Sequence, residues 1–411
     1  MPETHHGGAG EDTIDRRIAQ EIDSLRGISQ FRTLEITGGI DLSSNDYLGL
    51  AHDPRMKRAT IEAIANSARV GSTGSRLLSG NAREWEELES DFSEFAGTES
   101  ALYFGSGYAA NIGLLSSLLR AGDFVFSDAR NHASLIDGMR LSGATKVIYP
   151  HRDAEFLESA LRELAEKPGA RVIVTESVFS MEGDVAPLGQ LARLAEKYDA
   201  ALVIDEAHAT GVCGPAGCGV AAELGIERGV LATVHTCGKA LASTGAFVCG
   251  GRALKDFLIN RARTFIFSTA MPPYMAGQIR AGLLLARTAN RERAHLREMA
   301  EMLRASLLAA GINCGSSSSH IVPVILGSNE AALHAANELQ RAGFAAKAIR
   351  PPTVPSGTAR IRISLTSRVT REQTQRLAEV LRTTCAAHAA ALAAGPLSGR
   401  VSGTATGAVH A

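Results

Sequence analysis

The sequence predicts an α/β protein with a mostly parallel central sheet and a smaller C-terminal α+β domain. Three observations carry this. Between residues 85 and 250, short continuous apolar strands alternate with helical periodicity, the pattern of a parallel sheet covered on both faces. Beyond residue 250 that alternation gives way to a long helical stretch and then a few mixed elements. Glycine, at 41 of 411 residues, exceeds the usual ~7 %, as in α/β proteins whose sites are built from loops.

In chain order, Ile14 to Leu25 reads as a short helix and Glu35 to Leu42 as an extended piece. Trp85, Leu88, Phe92 and Phe95 share one helical face, and Gly97 is a natural stop. Strands follow at 101–104, 124–127, 146–149, 171–177 and 200–207, then at TVHTC and AFVCG. Helices between them are expected at 109–119, 135–141, 154–166 and 187–198, the last with Pro187 in its first turn. A long helical stretch spans about 273–310, before strands at 321–326, 347–349 and 360–365 and a helix at 329–342. A last helix opens on Thr370 and Gln373, spaced as a capping box. The expected division is an N-terminal segment (1–50), a large α/β domain (51–275), a small α+β domain (276–390) and a tail (391–411). The first dozen residues and the tail lack apolar periodicity, so disorder is expected there.

Composition narrows the function. Lys+Arg total 42 and Asp+Glu 43, so no basic excess argues for nucleic acid. No apolar run approaches the ~20 residues of a membrane span. The N-terminus is polar and lacks an export signal. The six cysteines form no CxxC pair, which fits reduced thiols in a cytoplasmic protein. No metal site is expected, because His132, His208 and His235 lack zinc-ligand spacing and no HExxH occurs.

Several motifs admit rival readings. Gly105, Gly107 and Ala110 follow a strand and open a helix, with Asp128 at the end of the next strand. This mimics a dinucleotide fingerprint, but it equally suits a tight turn or a phosphate at a helix N-terminus. DEAH at 205–208 suggests a helicase, yet no phosphate-binding loop accompanies it, since Thr233 and Ala240 break the pattern around Gly238-Lys239. Asp205 closes a buried strand at its carboxyl end, where ligands of open α/β sheets bind. Lys239 sits among Gly and small apolar neighbours, where lost hydration would lower its pKa and make its amine nucleophilic. An upstream phosphate turn, a strand-end Asp and a Schiff-base Lys are together what pyridoxal phosphate (PLP) requires.

On these residues the chain resembles the PLP-dependent α-oxoamine synthases of the type I, aspartate-aminotransferase-like fold, and most of all their biotin-pathway branch. The likeness runs from about residue 15 to 388. It rests on SSNDYLGL (43–50), GSTGSRLLSGN (71–81), FGSGYAAN (104–111), DARNHASLIDG (128–138), TESVFSMEGDVAPL (175–188), IDEAHATG (204–211), TCGKAL (236–241), FSTAMPP (267–273) and AIRPPTVPSGTARIRISLT (348–366). The resemblance implies that Lys239 holds the cofactor aldehyde, that Asp205 pairs with the pyridine nitrogen and His208 with the ring hydroxyl, and that His132 stacks on the ring. Backbone N–H groups of Gly107 and Tyr108 and the Thr236 hydroxyl would hold the phosphate, with Ser268 and Thr269 reaching it from the partner of a homodimer. Ser180 would line the cofactor site, with Glu176 and Asn45 in or near it. Arg362 would clamp the amino-acid carboxylate, and Thr353 and Arg26 would contact substrate. The implied reaction joins L-alanine to a pimeloyl thioester, on coenzyme A or acyl carrier protein, with loss of carbon dioxide. Glycine acetyltransferases and long-chain acyl relatives are the alternatives within the family. A nicotinamide oxidoreductase or a subunit without catalysis stands outside it. Two departures are Arg368-Val369, where the biotin enzymes often carry a His, and Cys237 beside Thr236.

Overall fold

The computed structural model describes residues 13–36 and 38–393. The expected disorder of the first dozen residues and of 394–411 lies outside them, while 391–393, expected in the tail, continue the last helix. The central sheet holds seven strands: β1 (Ser100–Phe104), β2 (Phe124–Asp128), β3 (Thr145–Tyr149), β4 (Arg171–Glu176), β5 (Ala201–Asp205), β6 (Ala232–Thr236) and β7 (Ala246–Gly250). Their spatial order is β1-β7-β6-β5-β4-β2-β3. Every neighbouring pair is parallel except those made by β7, which runs antiparallel between β1 and β6. The carboxyl ends of the other six strands therefore share one edge.

Strand and helix chemistry explain this layout. β4, β5 and β6 are buried along most of their length, because helices cover both faces. Helix α1 (Arg83–Ala96) buries Trp85, Leu88, Phe92 and Phe95 and ends on Gly97 in the left-handed region at φ 69°. Helices α2 (Gly107–Leu118) and α3 (Ala133–Ser142) follow β1 and β2, so their N-termini open at the common edge.

A second, three-stranded antiparallel sheet joins β8 (Ile321–Gly327), β9 (Ala348–Ile349) and β10 (Ala359–Ser364), with β10 central. The closing helix, Arg371–Ala393, begins with the capping box: Gln373 donates its backbone N–H to the Thr370 hydroxyl (3.2 Å) and accepts that of Thr370 on Oε1 (3.0 Å).

Three local expectations are corrected. The long helical stretch is two helices, Tyr274–Thr288 and Asn290–Ala309, broken at Ala289 with ψ 44°. Buried Arg293 takes over the freed carbonyls, donating to Ala286 O at 2.6 Å and Arg287 O at 3.3 Å. The helix expected to reach Glu166 ends at Glu163. Pro168 disfavours helix before it, and Arg171 binds the carbonyls of Leu164, Ala165 and Lys167 instead. Of the extended piece at 35–42, only Ile40–Asp41 forms a strand, pairing parallel with Phe344–Ala345. The pairing at Phe344–Ala345 and the helix Pro54–Asn66 are elements the periodicity did not disclose. Among the described residues no helix is long and apolar enough to cross a membrane.

Candidate active site

The carboxyl edge of the central sheet opens into a cavity of about 320 Å³. It gathers residues from distant parts of the chain: Asn45, Gly107, Tyr108, His132, Glu176, Asp205, His208, Thr236 and Lys239 all line it. Each is placed by an element end. Asp205 and Glu176 are the last residues of adjacent strands β5 and β4, in register with each other. Thr236 ends β6 and Lys239 follows in the turn before β7. Gly107 and Tyr108 begin α2, and His132 precedes α3.

Two hydrogen-bonded chains organise the cavity. In the first, Lys239 Nζ lies 2.9 Å from His208 Nε2, and His208 Nδ1 lies 2.6 Å from the Tyr47 hydroxyl. That hydroxyl donates to Asn45 Oδ1 at 3.0 Å, which also accepts from Arg362 Nη2 at 3.1 Å. Burial and the cations Lys239 and Arg362 hold His208 well below the usual histidine range. It is a neutral ring that accepts from Lys239 and donates to Tyr47. Burial pushes the Tyr47 phenol up to about 12, so it stays protonated. In the second chain, Asp205 Oδ1 accepts the Ala207 N–H at 2.8 Å and Oδ2 accepts Asn111 Nδ2 at 2.7 Å.

Lost hydration lowers Lys239 to about 8, against the pull of the Asp205 and Glu176 carboxylates. Glu176 rises well above the carboxylate range, from burial first and Asp205 second. Its Oε1 is buried without a partner, while Oε2 accepts the Ser180 N–H at 3.3 Å. Arg362 is buried on β10, does not itself line the cavity, and meets it through Asn45. Its guanidinium donates to Ser180 O, to Ser364 Oγ at 2.6 Å and to Asn45.

The cavity fits PLP. The first N–H groups of α2 have no intrahelical acceptor, and Ser106 accepts the Ala109 N–H, which leaves those of Gly107 and Tyr108 for an anion. The backbone comes so close here that a Cβ on Gly107 would stand 2.7 Å from Thr236 Cγ2. A buried carboxylate (Asp205), a neutral imidazole (His208) and an amine of lowered pKa (Lys239) match a pyridinium, a ring hydroxyl and an aldehyde.

Other sequence expectations fall elsewhere. Ser268 and Thr269 are exposed and line a separate cavity of about 240 Å³, which shares Ser106 with the first. Arg26 pairs with Asp23 at 2.9 Å on an exposed helix, and Thr353 is exposed beside Arg32; the single chain brings neither to the Lys239 cavity. Asp128 is no ribose-binding acid, because its carboxylate is spent on His151 and the backbone of Arg130 and Arg152. Cys237 is a buried core residue whose thiol burial pushes up, so it is inert filler. Among the described residues no cluster of His, Cys, Asp and Glu could hold a metal ion. Tyr47, Asn111 and Ser134 went unassigned, although each stands inside a motif segment quoted above.

Comparison with known proteins places the chain in a family. Residues 37–381 match the family model of aminotransferases of class I and II. A "Putative 8-amino-7-oxononanoate synthase" of Geobacillus kaustophilus is 46 % identical over 336 residues, 81 % of this chain and 85 % of that protein. One of the same name from Bacillus cereus is 44 % identical over 331 residues, 80 % and 84 % of the two chains. Among solved structures, Sphingomonas wittichii serine palmitoyltransferase is similar at TM-score 0.83 and 30 % identity, covering 92 % of this chain and 98 % of that one. The S. paucimobilis serine palmitoyltransferase, solved with a PLP adduct, is similar at TM-score 0.84 and 30 % identity, covering 91 % and 98 %. The Francisella tularensis 8-amino-7-oxononanoate synthase is similar at TM-score 0.74 and 28 % identity, covering 85 % and 99 %. The chain belongs to the aminotransferase class I and II family, and within it to the PLP-dependent α-oxoamine synthases, acyltransferase-type enzymes of the type I fold.

Proposed function

We propose that this enzyme condenses L-alanine with a pimeloyl thioester, releasing carbon dioxide and the free thiol and forming 8-amino-7-oxononanoate for biotin synthesis. It would do so as a cytoplasmic homodimer with shared active sites. The observation that carries the reading is the convergence of Lys239, Asp205, His208 and His132 on one cavity, in a chain up to 46 % identical to relatives bearing that name.

PLP, when bound, supplies an electron sink that lets bonds at the amino-acid Cα break heterolytically. Everything else falls to this chain. At a pKa of about 8, roughly a tenth of Lys239 is unprotonated at pH 7, where an ordinary lysine offers well under a thousandth. Its amine can therefore hold the aldehyde, and once free it can take the Cα proton and later return it. Asp205, kept in place by Ala207 and Asn111, holds the proton on the pyridine nitrogen. His208, steadied by Tyr47, hydrogen-bonds the ring hydroxyl. Gly107, Tyr108 and Thr236 take the phosphate, with Ser268 and Thr269 of the partner subunit completing it. Ser180 and Glu176 line the cofactor side, and Arg362 with Asn45 binds the amino-acid carboxylate. His132 faces the reacting atoms and donates to the acyl oxygen. Arg26 and Thr353, outside the cavity of the single chain, would contact substrate.

The likeness to serine palmitoyltransferases favours a second reading: the same reaction class with another amino acid and a longer acyl chain. The test offers the PLP-loaded protein L-alanine with pimeloyl-coenzyme A, L-serine with palmitoyl-coenzyme A and glycine with acetyl-coenzyme A. Thiol release and product mass are followed. Preference for the first pair, with 8-amino-7-oxononanoate as product, is the expected outcome. Preference for either other pair overturns the substrate assignment, and no thiol release from any pair overturns the reaction class.

A further inference from the structure

One buried side chain touches both halves of the site, and the reading above uses only its contact with Asp205. Asn111, on α2, is almost wholly buried, as are Ser134 and Asp205. Its Nδ2 lies 2.7 Å from Asp205 Oδ2 and 2.9 Å from Ser134 Oγ. Ser134 Oγ in turn lies 2.7 Å from His132 Nδ1, which also receives the Ser134 backbone N–H at 3.2 Å.

The proton positions along this chain follow from chemistry. The Asn111 amide turns its nitrogen, not its oxygen, toward the Asp205 carboxyl oxygen, the pairing of a donor with an acceptor. Both hydrogens of that nitrogen are then used, one on Asp205 and one on Ser134. The Ser134 backbone N–H points at His132 Nδ1, which makes Nδ1 an acceptor, so Ser134 Oγ sends its own hydrogen there. Nδ1 thus accepts from two donors and cannot carry a proton, so the ring proton sits on Nε2, which has no hydrogen-bond partner among the described residues and is left to the cavity. The cost of the arrangement is visible: Asn111 Oδ1 is buried with no partner. Such a group in a folded protein calls for a reason.

We propose that Asn111 is a positioning residue which, through Ser134, locks His132 as the Nε2–H tautomer donating into the cavity, while the same amide fixes Asp205. One group thereby sets the orientation of both Asp205 and His132. Elsewhere, outer partners that fix a histidine's tautomer are worth about 10–100-fold when removed. The inference deepens the proposed function, since it assumes that His132 acts at the reacting atoms, but it makes a claim about the cofactor-free protein that stands apart from substrate identity.

The test is histidine-selective ¹⁵N NMR of the cofactor-free, full-length protein, with the His132 signals assigned through His132→Gln. Wild type is expected to show the Nε2–H tautomer for His132. Ser134→Ala and Asn111→Leu are expected to shift it to a mixture with Nδ1–H. In the PLP-loaded protein, both variants should lose about tenfold or more in kcat with little change in amino-acid KM. Ser134→Ala, which touches only the His132 branch, should add almost nothing to the loss caused by His132→Ala. An Nδ1–H tautomer in wild type overturns the proposal without any variant having to fold. So does an unchanged tautomer in both variants, or a Ser134→Ala loss that multiplies with that of His132→Ala. A wrong amino acid or thioester would change the substrates used and leave the tautomer result intact.

Discussion

His151 offers a sharp test of how the site's frame is held. It stands just beyond β3, with Nδ1 2.9 Å from Asp128 Oδ1 and Nε2 3.0 Å from Asp184 Oδ2. Both ring nitrogens face carboxylates, so the ring is protonated in the fold. Burial opposes the charge, but the hydrogen bonds and charges of Asp128 and Asp184 outweigh it and raise the pKa to about 9. The pin spans the molecule: Asp184 also accepts from Arg152 at 3.2 Å and from Ser316, which precedes β8, at 2.5 Å. Asp128 accepts the Arg130 N–H in the turn that delivers His132.

The sign follows from linkage. The folded pKa lies above the unfolded value of 6.5, so the stabilisation is complete below pH 6.5 and disappears as pH rises through about 9. The gap between 6.5 and about 9 is worth about 3 kcal/mol. The lowered pKa of Asp184 reports the same contact and is not added to it. The assay is urea unfolding from pH 6 to pH 10, followed by the fluorescence of the single tryptophan, buried Trp85, for wild type and His151→Gln. The stability difference between them should be larger at pH 6 than at pH 10 by about 3 kcal/mol, with the decline centred between pH 7 and pH 9. A difference that stays constant across that window would show that His151 is not charged between the two carboxylates, and the reasoning would fail.

Four further outcomes follow from the site. Lys239→Ala should abolish turnover, and borohydride treatment should then leave no cofactor mass on the chain; retained activity would remove Lys239 from the chemistry. Arg362→Ala should raise the amino-acid KM by about a hundredfold, the scale of ~3 kcal/mol for a charge-assisted contact, and an unchanged KM would deny it the carboxylate. Gly107→Ala puts a Cβ 2.7 Å from Thr236 Cγ2, so PLP affinity measured by equilibrium dialysis should fall; unchanged affinity would place the phosphate elsewhere. His132→Ala should cut kcat with little effect on the urea midpoint, because its ring is exposed to the cavity rather than packed; an equal loss of stability would make it a structural residue.

The alternation of short apolar strands and helices was readable residue by residue. Asp205 and Lys239 stood out because a strand end and a glycine turn are local features. What periodicity missed has long-range causes. AFVCG has the same apolar composition as its parallel neighbours, yet it runs antiparallel because it returns directly from β6 through the Lys239 turn. The break at Ala289 is held by an arginine whose buried guanidinium finds carbonyls about two turns back, and a helical pattern carries no sign of it. Asn111 and Ser134 were invisible as functional residues, since an amide and a hydroxyl on two helices have no meaning until the helices are packed.

The sequence alone therefore determined the fold class, the family motifs and the chemical types brought to the site, because these depend on period and local composition. Only the tertiary structure decided which groups meet. It joined Lys239 to His208, Tyr47 and Asn45, set Arg362 against Ser180, and left Arg26 and Thr353 outside the cavity. It also assigned the proton on His132, because hydrogen-bond direction is fixed by partners far apart in the chain that come within 3 Å only when the sheet edge is assembled.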